Sequence, residues 1–120
     1  MRGLLFALCV VLSGFSYGVS IQLGTAEAVN APFCANRLDA IAIAKADVEQ
    51  GIEVASKMYM DAAECGTAAV MMKPLRVIYT GTTARNSVIR VIEVEIEING
   101  YKRNFFMLTE DVEVLGLQKT

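Results

Sequence analysis

The chain has no histidine and no tryptophan, and only two prolines and three cysteines among its 120 residues. Without histidine, Ser-His-Asp and Cys-His catalytic arrangements and every imidazole-based metal site are excluded. General acid or base work would fall to carboxylates, lysine and tyrosine. There is no glycine-rich phosphate loop and no Asn-x-Ser/Thr acceptor, and the second absence fits a bacterial exported protein better than a eukaryotic secreted one. Bases do not outnumber acids: 11 Lys and Arg stand against 13 Asp and Glu, a formal net charge of −2. Arg76, Arg85, Arg90, Lys102 and Arg103 alternate with acids or lie apart, so they form no footprint for a nucleic acid.

What is present suits one globular domain, with 54% hydrophobic and 20% charged residues. Part of that hydrophobicity belongs to a leader. Arg2 precedes the apolar run Leu4 to Leu12, which is the layout of a secretory signal peptide. Ala26-Glu27-Ala28 makes a small-x-small cleavage pattern, and Gly18-Val19-Ser20 a second one. The first is favoured here, giving a signal peptide over 1–28 and a single domain over 29–120. Cleavage there removes one base, Arg2, and one acid, Glu27, so the net charge stays at −2. If residues 4–23 stay uncleaved they nearly span a bilayer, and only then is a membrane a partner. A secreted or periplasmic location follows, and in that oxidising setting the two remaining cysteines, Cys34 and Cys65, are expected to pair.

The stretch between those cysteines is rich in helix formers. One straight helix over Ala35 to Glu64 would be about 45 Å long, whereas bonded cysteines need Cα atoms within about 7 Å. Gly51 stands near the middle, and glycine suits the position just past a helix end. The segment is therefore expected to fold back there, as one helix over about 36–49 and another over about 52–64. Asn36 is expected to cap the first, and Leu38, Ile41 and Val48 to form its apolar side.

After Gly66 the periodicity alternates. A strand over 75–80 enters through Pro74, a loop covers 81–86, and Ser87 to Ile98 meets Tyr101 to Leu108 through Asn99-Gly100, the preferred two-residue hairpin turn. Read literally, the turn pairs Ile98 with Tyr101, Ile96 with Arg103, Val94 with Phe105 and Ile92 with Met107 on the core face. A last strand is expected over 112–117. The whole is an α+β fold: a disulfide-pinned helical hairpin over 29–66, then a four-stranded antiparallel meander within 67–120.

Over residues 74–117, the order of strand, loop, Asn-Gly hairpin, short turn and closing strand resembles a small SH3-type barrel. Bacterial SH3-like domains often act as binding modules at the cell wall, so the resemblance implies a binding role and names no chemistry. The expected function is a small exported, non-enzymatic binding or structural module, its partner a protein or cell-wall component. No cofactor and no metal are called for: Met58, Met60, Met71 and Met72 read as packing residues, and Glu93, Glu95 and Glu97 as a solvated strand face. One alternative is a secreted inhibitor of a hydrolase acting through the loop 81–86 with Arg85 at its tip beside Asn86. Another is a small carboxylate-dependent enzyme using Glu93, Glu95, Glu97, Glu110 and Asp111. Val91, Phe106 and Leu108 form an outward apolar patch, expected to meet either a partner or the helices.

Overall fold

A computed structural model describes residues 20–116. The leader expected over 1–28 lies largely outside the described residues, but its last part does not. Ser20–Gln22 forms β1 and Glu27–Cys34 forms β2, so 20–28 are built into the fold. Ile21 is only 3% exposed. The domain edge expected at residue 29 therefore cuts through a strand.

Two helices follow β2: α1, Arg37–Gln50, and α2, Ile52–Asp61. The Asn36 side chain accepts hydrogen bonds from the Leu38 and Asp39 N–H groups at 2.8 and 3.2 Å, meeting donors that the first helical turn leaves unpaired. Between the helices Gly51 adopts φ 103°, a conformation that disfavours side chains, and its N–H closes α1 onto Ala46 and Asp47. The expected break is thus present at the expected residue.

The apolar side of α1 differs from expectation. Leu38 is 75% exposed, while Ala40, Ile43, Ala44, Ala46 and Asp47 face inward. Small side chains let the helix lie close to the sheet, and the closeness continues at Gly81, where an added Cβ would sit 2.8 Å from Val48 Cγ2.

Four further strands complete the chain: β3, Cys65–Thr82; β4, Val88–Ile98; β5, Tyr101–Glu110; and β6, Glu113–Leu115. The β4–β5 hairpin has the register its turn dictates, from Ile98↔Tyr101 to Ile92↔Met107 and beyond. Asn99 and Gly100 both take positive φ, as that turn requires.

The rest of the topology corrects the meander. The four antiparallel strands are β2, β3, β4 and β5, and they close into a barrel where Phe33 and Cys34 of β2 pair with Met107 and Phe106 of β5. The closing strand is thus β2, ahead of the helices, and the division at 66/67 falls inside β3. The segment expected as the closing strand instead forms β6, which pairs in parallel with β1. β3 reaches its length because its first half pairs with β2 and its second with β4, with register shifts near Pro74 and Val77. The helical hairpin is an excursion between β2 and β3, closed by the Cys34–Cys65 disulfide, whose cysteines are register partners.

Two apolar clusters result. The barrel interior holds Phe33, Met72, Ile92, Val94, Ile96 and Met107, joined by Ile21 from β1, Val112 from the turn before β6 and Val114 from β6. The second cluster lies between helices and sheet and joins Ala40, Ile43, Ala44 and Ala55 to Ile89, Val91 and Phe106. Val91 and Ile92, consecutive on β4, point to opposite faces of the sheet, and both are buried because one face lines the barrel interior and the other is covered by the helices.

Candidate functional site

The outward patch Val91, Phe106 and Leu108 lies beneath the helices. Val91 is fully buried and Phe106 nearly so, both within the helix–sheet cluster, with Leu108 packed against it. Of the two occupants the sequence allowed, the helical hairpin holds this place, and a partner arriving from solvent meets the helices instead.

Arg85 is held in place rather than presented. Its guanidinium donates to Asp47 Oδ1 at 3.3 Å and to Glu110 Oε2 at 3.2 Å, tying the 83–87 turn to α1 and to the end of β5. The turn is ordered from within as well. Buried Thr83 accepts from the Arg85 and Ser87 N–H groups through its hydroxyl, and Asn86 sits at φ 69°. An inhibitor that inserts Arg85 into another protein would first have to break both ion pairs.

Burial pushes the Asp47 carboxyl above its usual range, against the opposing pull of Arg85. For Arg85 burial acts to lower the pKa, but the Glu110 hydrogen bond and the two nearby acids outweigh it and hold the guanidinium above its ordinary value. The asymmetry follows from exposure: the Asp47 side chain is 8% exposed and that of Arg85 39%. The desolvation cost therefore falls mainly on the acid.

A raised carboxyl pKa in the folded state means that the fold binds the proton more tightly than the unfolded chain does. The stability that a neutral Asp47 contributes is fully present at low pH and is lost as pH rises from 3.8 through its raised native value. Arg85→Ala leaves Asp47 without its partner and is expected to cost about 1–3 kcal/mol at neutral pH, with the loss shrinking as pH falls. Glu110→Ala removes an exposed pair and costs under about 1 kcal/mol. Asp47→Asn should flatten the acid-side pH dependence. Urea unfolding of the three variants at several pH values checks all of this.

Of the five candidate acids, Glu110 holds Arg85, Glu97 is exposed on β4 opposite Lys102, and the other three are engaged elsewhere. Glu93 accepts from both Arg76 and Asn104, Glu95 lies near Lys73, and the Asp111 carboxylate accepts the Val88 N–H at 2.7 Å. Among the described residues no three metal-ligating side chains of the His, Cys, Asp and Glu types come together.

A concave feature lies at the hairpin end of the barrel. The β3–β4 ladder stops at Lys73↔Glu95, so Cys65–Met72 is laddered to β2 alone and Ile96–Ile98 to β5 alone. Between these separated edges opens a cavity of about 280 Å³, lined by Phe33, Ala68, Val70, Ile96, Ile98 and Phe105, with Glu64 and Thr67 at its rim. The Tyr59 hydroxyl shares a 2.9 Å hydrogen bond with Thr67, linking this rim to α2. Burial, opposed by that hydrogen bond, raises the Tyr59 pKa above its ordinary value, so the hydroxyl is neutral at physiological pH.

Arg103, the one charged residue on the inner face of the hairpin, stands over the Phe105 ring at 5.3 Å from its centroid. Its guanidinium is exposed, and among the described residues no carboxylate lies within ion-pair distance of it. Tyr101 and Ile98 are 75% and 43% exposed beside it.

Sequence reasoning placed the hairpin half of this mouth but missed its other wall, because Cys65 to Pro74 was not read as strand. The available signal was the small-residue run Gly66-Thr67-Ala68-Ala69 leading into alternating Val70 and Met72. No protein-family model, curated protein or solved structure matches the chain.

Proposed function

We propose that the protein is a small exported, non-enzymatic binding module whose ligand surface is the barrel mouth. The observation that carries this reading is an apolar cavity flanked by two strand edges that are not laddered to each other. Unladdered edges offer backbone donors and acceptors to an extended peptide, and a pocket between them receives one side chain, as in strand addition. At about 280 Å³ the cavity lies below the range of about 300–1,000 Å³ typical of small-molecule sites, which favours a single side chain over a cofactor. Arg103 at the rim suits an acidic residue or terminal carboxylate next to that apolar anchor.

Export is supported by the leader pattern and by the Cys34–Cys65 bond. No helix among the described residues is long and apolar enough to cross a membrane.

The test is an amide chemical-shift titration with short extended peptides that pair one aliphatic residue with an adjacent acid. Shifts are expected at Thr67–Val70 and Ile96–Ile98. Ile98→Lys should abolish them, and Arg103→Glu should reverse the preference for the acid. Shifts confined to the helices or to the 83–87 turn, or none with any peptide, would overturn the reading.

A further inference from the structure

We infer that the exported chain is cut between Ser20 and Ile21, at the Gly18-Val19-Ser20 pattern, and not after Ala28. The inference rests on the export reading and adds to it the processing site and the residue that starts the mature protein.

Both patterns offer the small residues at positions −3 and −1 that a signal peptidase recognises, and on sequence alone the cut after Ala28 is favoured. The fold separates them. A cut after Ala28 removes β1 entirely and the first two residues of β2. It takes Ile21 out of the barrel core, and β6 loses the strand to which it is laddered. It also deletes the pairings Glu27↔Met72 and Ala28↔Met71, and the hydrogen bonds from Leu23 N–H to Leu115 O at 3.0 Å and from Gly24 N–H to Pro74 O at 2.7 Å. Buried strand edges and core positions left open in this way are costly, and an exported chain would carry the defect permanently.

A cut after Ser20 keeps all of these except one register pair, Ser20↔Glu113. Ile21 still pairs with Val114 and Gln22 with Leu115. The new ammonium at Ile21 then lies one residue from the position opposite Glu113, an exposed carboxylate that complements it. The spacer between the apolar run and the cut also shortens, from 13–28 to 13–20.

The experiment is expression of the full chain with a carboxy-terminal tag in an exporting bacterium, followed by N-terminal sequencing and intact mass of the purified product. The expected terminus is Ile21. Ser20→Arg should leave precursor uncleaved, while Ala28→Arg, at an exposed strand position, should leave processing unchanged. A terminus at Val29, or processing blocked by Ala28→Arg, would overturn this inference and leave export standing. An unprocessed chain retained in the cytoplasm would overturn both. As a second readout, a chain begun at Ile21 should melt above one begun at Val29, and equal melting temperatures would contradict the structural argument.

Discussion

Cys34→Ser and Cys65→Ser are each expected to lower the melting temperature by about 10–25 °C, and the double variant by little more than either alone. The bond closes a segment with a sequence separation of 31 residues, holding the whole helical hairpin. In the chain-entropy account, opening a loop of this size costs on the order of 3 kcal/mol, and each kcal/mol moves the midpoint of a domain this small by about 4–8 °C. Near-identity of the single and double variants follows because all three remove one interaction. Cys34 is also fully buried among α1, β4 and β5, so an added hydroxyl there is solvated poorly. Cys34→Ser should therefore be slightly worse than Cys65→Ser. Thermal unfolding by circular dichroism checks the order, and additive losses would mean that the two cysteines act independently.

Ile92→Ala is expected to cost about 2–5 kcal/mol, because Ile92 is fully buried in the barrel interior between Val77 of β3 and Met107 of β5 and the cavity left behind cannot collapse freely. Ile98→Ala, six residues further along the same inner face, is expected to cost about 1 kcal/mol or less, since its side chain is already 43% exposed at the mouth. The contrast separates a packed interior from an open rim. Denaturant unfolding of both variants measures it, and a loss at Ile98 equal to that at Ile92 would mean that the barrel is closed at that end.

Local chemistry was readable where the signal is local. Asn99-Gly100 specified the hairpin and its register because only positive-φ residues make that turn, and every expected cross-strand pair from Ile98↔Tyr101 back to Ile92↔Met107 is present. Gly51 and Asn36 likewise marked helix ends through backbone requirements of their own. The disulfide was legible by elimination together with helix length.

Non-local pairing was not legible. β2 contains Pro32 and reads Glu-Ala-Val-Asn-Ala-Pro-Phe-Cys, a weak strand pattern that tertiary pairing with β3 makes regular. Its assignment to the leader and the helical region hid the true closing strand. The stripe on α1 was misread for a related reason: Leu38 is more apolar than Ala40 or Ala44, but the helix sits so close to Val91 and Phe106 that alanine fits and leucine is left outside. Of the candidate site residues, the sequence chose Arg85 for its place at a loop tip, whereas its partners Asp47 and Glu110 lie 38 and 25 positions away and could not be seen from the loop.

The Cys34–Cys65 bond joins both halves of the account. Phe33 and Gly66, the neighbours of the two cysteines, line the mouth cavity, and Cys34 itself anchors the helix-covered face. The most direct test is alkylation of the purified protein in denaturant before and after reduction, read by intact mass. With both sulfurs bonded, Cys34 and Cys65 take no label until a reductant is added, and then each takes one. Labelling of either cysteine before reduction would show that the helical hairpin is not covalently closed and would contradict the architecture on which the proposed binding surface rests.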